Sequence, residues 1–346
     1  MKTRNLLAVA LLCLFAITCN AQYAGFALGF YNLENLFDTK HDEGKNDYEF
    51  LPNGSYGWSE LKYESKLKNM AQVLADMGTD KSPEGCAFIG VSEVENANAL
   101  TDLVNQPALK ARNIQFCHVE GPDKRGVDCA LLYNPKYFTV KSVELPPYIY
   151  IKEEDASHQT RGFLTVQGTL AGEDICVIVC HWPSRGAGSF YRNEAGRQVR
   201  ELKERLLKEN KNLKIFIMGD MNDDPNNDSM KKHLGCKSEI DDCGKNDLYN
   251  PWYNVLIKKG QGTLAYDGAW NLFDQIVITP NLLNQNGKKD FSTLKYIGSH
   301  IFTRPYLYQT EGKYKGNPKR THAGGSWLNG YSDHLPVVMY LAKKIK

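Results

Sequence analysis

Residues 217–225 read Ile-Met-Gly-Asp-Met-Asn-Asp-Asp-Pro. The apolar run Ile215 to Met218 has the length and β-branched content of a buried strand, and it ends on Gly219, Asp220 and Asn222. Such an ending is either a turn, because Gly, Asp, Asn and Pro are turn residues, or a delivery of polar groups to a site. The same question arises five more times along the chain. Phe30-Tyr31 runs into Asn32, Phe88 to Ser92 into Glu93, Val177 to Cys180 into His181, Trp270 to Phe273 into Asp274, and Tyr331-Ser332 into Asp333 and His334. Singly, each has an ordinary explanation: Glu93 as a cap for a helix beginning near Asn96, His181 as a packed core imidazole, Asp333 as the lead-in to a strand. Together they predict strands laid side by side with carboxylates, amides and two imidazoles on one rim.

Oxygen-rich donors of this kind suit a hard divalent cation, magnesium above all, with manganese as a substitute. Magnesium beside two histidines suits hydrolysis of a phosphate ester: the metal polarises a phosphoryl oxygen while an Asp-oriented imidazole moves a proton. Arg161 and Arg185 are candidate phosphate forks, because guanidinium presents paired donors to phosphate oxygens; each also reads as a surface ion pair. Ser184 is grouped with them as a substrate contact.

Periodicity predicts a strand over Tyr23 to Leu33 and a helix over Trp58 to Met77 with Leu61, Leu67, Met70, Val73, Leu74 and Met77 on one face. A second helix, Tyr191 to Lys208, carries Val199, Leu202, Leu206 and Leu207 as its buried stripe. Between and beyond them fall short apolar runs at Ala87 to Val91, Cys129 to Tyr133, Phe163 to Leu170, Ile175 to Cys180, Phe273 to Ile278 and Val337 to Leu341. Hairpin-like successions mixed with helices indicate mixed sheets covered by helices. With no linker, repeat or low-complexity tract, residues 22–346 read as one domain.

Residues 1–21 stand apart. Lys2 and Arg4 precede an apolar stretch from Leu6 to Thr18, and Cys19-Asn20-Ala21 offers a small-x-small cleavage site, the pattern of a secretory signal peptide. Thirteen apolar residues at about 1.5 Å each cannot cross a hydrocarbon core of about 30 Å, so no integral membrane segment is expected after cleavage. The protein is therefore expected to be exported; lipidation at Cys19 is disfavoured by Ala16-Ile17-Thr18 before it. Of 42 basic residues, cleavage removes Lys2 and Arg4, which leaves 40 against 40 acidic ones. A neutral chain has no body-wide field for nucleic acid or anionic membrane, and the run Lys313, Lys315, Lys319, Arg320 is its best local basic cluster. Cys86, Cys129, Cys176 and Cys180 lie in apolar runs as small hydrophobes, whereas Cys236 and Cys243, in a polar stretch, are expected to close a short disulfide loop.

In order along the chain, FYNLENLFD (30–38), IGVSEVEN (89–96), RGVDCALLY (125–133), CHWPSR (180–185), IMGDMNDDP (217–225), FDQIVI (273–278) and YSDHLPV (331–337) resemble the endonuclease/exonuclease/phosphatase superfamily, which includes pancreatic-type deoxyribonuclease, AP endonucleases, sphingomyelinases and inositol polyphosphate 5-phosphatases. The resemblance implies a four-layer α/β sandwich: two central mixed β-sheets flanked by helices, with a site at one sheet edge. It implies Glu93 as principal magnesium ligand with Asn32 and Asp333 close to the metal, and Asp220 and Asn222 as groups orienting water and phosphate. His334 paired with Asp274 becomes the catalytic imidazole and its orienting carboxylate, and His181 a second phosphate-side donor. Asn35 and Glu95 are read as supporting groups. Leu272 stands where many members carry Arg, which weakens the expected support for Asp274. The implied activity is hydrolysis of phosphodiester bonds in DNA or RNA by a monomer; the alternative is a phosphatase or sphingomyelinase-like hydrolase of lipid or inositol phosphates, and a remote one a non-catalytic binding module.

Overall fold

Tyr23–Leu36 forms a single strand buried continuously from Ala27 to Glu34, and a strand without an exposed face needs cover on both sides. The computed structural model, which describes residues 22–155 and 158–345, supplies that cover. The proposed leader, residues 1–21, lies outside the described residues.

The first half of the chain runs β1 (Tyr23–Leu36), α1 (Glu60–Asp76), β2 (Cys86–Val94), α2 (Ala97–Val104), α3 (Pro107–Lys110), β3 (Gln115–His118), β4 (Asp128–Tyr133), β5 (Phe138–Glu144), β6 (Leu164–Leu170) and β7 (Glu173–His181). The second half follows with α4 (Ser189–Glu209), β8 (Lys214–Asp220), β9 (Cys236–Lys237), β10 (Leu248–Tyr249), α5 (Trp252–Lys259), β11 (Leu264–Tyr266), β12 (Ala269–Asn271), β13 (Asp274–Ile278), β14 (Lys295–Ile301), β15 (His322–Ala323), β16 (Ser326–Trp327) and β17 (Val337–Lys344). Six strands form one mixed sheet in the order β14-β17-β1-β2-β4-β3, and seven form the other in the order β5-β6-β7-β8-β13-β10-β9.

The period of two assigns the layers. In β7 and β8, Ile175, Val177, Val179, Phe216 and Met218 face the core shared with the first sheet. Their alternates Cys176, Ile178, Cys180, Ile215 and Ile217 face outward and pack with Val199, Leu202 and Leu206 of α4. On the other side α1 covers the first sheet through Tyr63, Leu67, Met70, Val73 and Leu74. The result is helix, sheet, sheet, helix. Phe88 of β2 bridges the sheets, its ring 5.2 Å from Phe138 and 5.9 Å from Phe216. Two residues on, a Cβ at Gly90 would lie 2.6 Å from Met218 Sδ, so only glycine allows the sheets this approach.

Two expectations need correction. Leu61 is 78% exposed, because it lies on the opposite side of α1 from the stripe of Tyr63, Leu67, Met70 and Leu74 that packs on the sheet. Cys236 and Cys243 are both buried and unbridged. Cys236 is paired into β9, and the Cys243 thiol donates to the carbonyl of Glu239 at 3.4 Å.

Candidate active site

Strand register brings the polar endings together. β7 runs parallel to β8 with His181 opposite Asp220, and β13 runs antiparallel to β8 with Asp274 opposite the same Asp220. Three chemically active side chains thus lie abreast on three adjacent strands. In the other sheet Asn32 of β1 pairs with Ser92 of β2, one residue before Glu93. β17 pairs antiparallel with β1 through Val337 and Phe30, which puts Asp333 and His334 just beyond that pairing at the same end.

The backbone is distorted where these groups leave the sheets. Register shifts interrupt β1 between Asn32 and Leu36, and β2 between Ser92 and Val94; such bulges re-aim side chains. Of nine non-glycine residues with positive φ among the described residues, four lie here: Glu34 (49°), Asn35 (55°), Glu93 (59°) and Asn222 (49°). Left-handed backbone at a Glu is costly and persists only where its surroundings over-determine it. The restraints are visible: the Asn35 N–H donates to Glu93 Oε2 at 3.0 Å, the Glu34 N–H to Asn32 Oδ1 at 2.9 Å, and the Asn222 N–H to Asp220 Oδ1 at 2.9 Å. Glu93 does not cap α2; Asn96 does, accepting from the N–H groups of Asn98 and Ala99.

Around this frame the side chains converge. Asn32 Nδ2 donates to Asp220 Oδ2 at 3.0 Å. His181 Nε2 lies 3.7 Å from Glu93 Oε1 and 3.8 Å from Asp220 Oδ2. His334 Nδ1 is 2.7 Å from Asp274 Oδ2, while its Nε2 faces Asp220 Oδ2 at 3.9 Å and Asp333 Oδ1 at 4.0 Å. Ser332 locks the loop, its hydroxyl donating to the Asn32 carbonyl at 2.7 Å and accepting from the His334 N–H at 3.1 Å. Thr263 ties the two segments of the dyad through the backbone, its hydroxyl accepting from the Asp274 N–H and its carbonyl from the Leu335 N–H, but among the described residues nothing replaces an Arg at position 272 on the carboxylate, whose Oδ1 is buried without a hydrogen-bond partner.

The electrostatics separate the two imidazoles. Burial opposes a charge on His334, but Asp274, by charge and hydrogen bond, and then Asp220 and Asp333 outweigh it and hold the imidazolium well above the usual histidine range. Burial pushes His181 the other way, reinforced by the charges of Arg161, Arg125 and His334, so it stays neutral. Burial is also the largest influence on Asp220 and raises its carboxyl, against the pull of His334 and with the push of Asp274.

The donor chemistry fits a hard cation. Glu93 and Asp333 offer oxygens only and Asn32 an amide oxygen, and among the described residues no hydrogen bond reaches Glu93 Oε1 or Asp333 Oδ1. Asp220, Asp274 and His334 also cluster closely enough to bind a metal. Their facing atoms, however, are already engaged: Asp274 Oδ2 with His334 Nδ1, and Asp220 with Asn32 and Asn222. The free oxygens favour Glu93 and Asp333, with Asn32 beside them, its Oδ1 already accepting from the Glu34 N–H.

Two of the three expected substrate contacts, Arg161 and Arg185, are corrected. Arg161 is buried and bound within the protein, Nη1 to Asp123 Oδ2 at 2.8 Å and Nη2 to the Trp182 carbonyl at 3.2 Å. That carbonyl also accepts Asn222 Nδ2 at 3.0 Å, so Arg161 braces Asn222 and is not a phosphate fork. Arg185 is spent on the Asn222 carbonyl, Asn271, Asp224 and Asn227. Ser184 is exposed and contributes its carbonyl to Arg192. Because Asp123 is buried too, Arg161→Leu strands its carboxylate, and a loss of about 3–5 kcal/mol is expected in urea unfolding; a shift below about 1 kcal/mol would mean that Asp123 finds other partners.

Sequence reading missed a second tier beneath the acids. Lys66 is fully buried, its ammonium donating to Thr321 Oγ1 and the Tyr331 carbonyl, both at 2.6 Å. Burial lowers its affinity for a proton, and Glu34, Asp333 and Glu93 restore part of it. The available signal was its position in α1, on the same face as Tyr63, Leu67 and Met70. Glu34 accepts from Arg320 and from the Thr321 N–H. Glu95, as expected, is supporting: it accepts from the Asp38 N–H, and burial pushes its carboxyl up to about 9.

Residues 27–343 match the Endonuclease/Exonuclease/phosphatase family. The chain belongs to this family. Members of the endonuclease/exonuclease/phosphatase family are phosphoesterase hydrolases that generally use a divalent metal, in agreement with the acid and imidazole cluster seen here. Among solved structures, the chain is similar to an endonuclease/exonuclease/phosphatase family protein from Bacteroides thetaiotaomicron, at 16% identity and a TM-score of 0.57, covering 94% of this chain and 97% of that one. It is also similar to the mannosyl-6-phosphatase Bt3783 of Bacteroides thetaiotaomicron VPI-5482 (16%, TM-score 0.56, 91% and 99% covered). A third is D. rerio TDP2 complexed with single strand DNA product (12%, TM-score 0.53, 92% and 99% covered). At these identities the likeness is one of fold. No curated protein matches the sequence.

Proposed function

We propose that this protein is an exported, magnesium-dependent phosphoesterase that cleaves phosphodiester bonds in short or single-stranded nucleic acid or in small esters. The observation that carries the reading is the delivery, by two sheets, of the free oxygens of Glu93 and Asp333 to the same rim as the His334–Asp274 pair and Asp220.

Glu93, Asn32 and Asp333 would hold the cation, which when bound would polarise a phosphoryl oxygen and offset charge on the leaving oxygen. Asp220, its carboxyl raised by burial, takes the proton of an attacking water that Asn222 helps to orient. His334, kept cationic by Asp274, donates from Nε2 to the phosphate as negative charge builds. Neutral His181 donates from Nε2 on the same side, its ring fixed by burial.

No helix among the described residues is long and apolar enough to cross a membrane. Lys313 and Lys315 are exposed, but Arg320 of the same cluster is turned to Glu34 and Asp333. Polyanion binding is therefore expected to be shallow in salt: log affinity for duplex DNA against log salt should fall with a slope no steeper than about four. A steeper slope would reveal a basic groove and restore long duplex DNA as substrate. The neutral charge also favours the second reading, a phosphatase of small phosphate esters. A panel of DNA, RNA, phospholipid headgroups and small mono- and diesters, each with and without magnesium, separates the two.

A further inference from the structure

A phosphate reaching this rim meets Glu93, Asp220 and Asp333, so its free oxygens need cations from the protein as well as from a metal. The cations near the site divide by what they are already bonded to. Lys66 and Arg161 are buried on internal acceptors, and Arg185 is spent on four. Two exposed guanidiniums remain. Arg125 is anchored at both ends: its N–H donates to Asp123 Oδ1 at 2.9 Å, and its Nη2 to Asn35 Oδ1 at 2.6 Å. Asn35, in left-handed backbone, holds Glu93 through its own N–H. Arg320 sits at the Asp333 end, with Nε donating to Glu34 Oε1 at 3.2 Å and Nη2 to Asp333 Oδ2 at 3.0 Å. Among the described residues no acceptor is hydrogen-bonded to Nε or Nη1 of Arg125, or to Nη1 of Arg320.

We infer that Arg125 and Arg320 grip the non-bridging oxygens of the substrate phosphate, one from the Glu93 end and the other from the Asp333 end. Each is pre-organised on one edge and open on the other, which lowers the ordering cost of a charge-assisted bond. The charge of Arg125 is close enough to His181 to help keep that imidazole neutral. The inference rests on the phosphoesterase reading and adds the groups that recognise the phosphate itself, whether it comes as a terminal monoester or an internal diester.

The test uses inorganic phosphate as the probe, in calorimetry on the full chain with magnesium present. Arg125→Gln and Arg320→Gln should each weaken phosphate binding at least tenfold, while Lys211→Gln, exposed at the opposite end of β8, should bind like the parent. Circular dichroism and the magnesium affinity of each variant separate loss of grip from loss of fold; should Arg320→Gln fail to fold, Arg125→Gln carries the test alone. KM for 4-nitrophenyl phosphate and for bis(4-nitrophenyl) phosphate should rise in the arginine variants with kcat changed far less. A larger rise for the first assigns the grip to a terminal phosphate, and for the second to a diester. Phosphate binding within twofold of the parent in both folded variants, or no binding by the parent, overturns the inference. If the parent hydrolyses no ester but loses phosphate binding in both variants, the grip stands and the proposed reaction fails.

Discussion

His334→Ala is expected to lower turnover about a hundredfold or more, the range for removing a positioned acid-base group. Asp274→Asn is expected to cost nearly as much. Asp274 is completely buried, its Oδ2 2.7 Å from His334 Nδ1, and an amide there removes the charge that sustains the imidazolium. The protein should remain folded, because the amide is isosteric and the Thr263 contact to the Asp274 N–H is unaffected. The double variant should lose little beyond the worse single one, since the two side chains act as a unit. Steady-state kinetics on one small diester reads all three; multiplicative losses would mean that the pair works separately.

Glu93→Gln should mimic removal of the metal. Its Oε1 is the carboxylate oxygen left free at the centre of the site, while Oε2 is held by the Asn35 N–H. Gln keeps the shape and takes away the charge that binds a hard cation. Magnesium affinity by calorimetry should fall at least tenfold, and hydrolysis should drop to the level of the chelated parent. Parent-like affinity would move the metal to other residues, with Asp220 the first to examine.

The layers and the rim were legible in the sequence because both depend on local signals. The continuous apolar runs Ile175 to Cys180 and Ile215 to Met218 encode strands buried on both faces, and the polar residue closing each strand marks its site end. The bonds that these residues make were less legible. Arg161 reads as a phosphate fork or a surface ion pair and nothing singles out Arg125, but Asp123 takes the side chain of the first and only the backbone N–H of the second. That choice depends on the meeting of two distant loops. The left-handed backbone at Glu93 left no mark in composition either, since Glu is a poor candidate for positive φ. Cys236 and Cys243 misled because a polar neighbourhood in sequence became a buried one in space.

The central claim, that this rim is a metal-dependent hydrolytic centre, is tested most directly by one assay: hydrolysis of a small phosphodiester by protein stripped exhaustively with chelator, before and after magnesium is added back. No turnover above background is expected in the stripped protein, with recovery on addition of magnesium or manganese. Full activity in the stripped protein would contradict the claim.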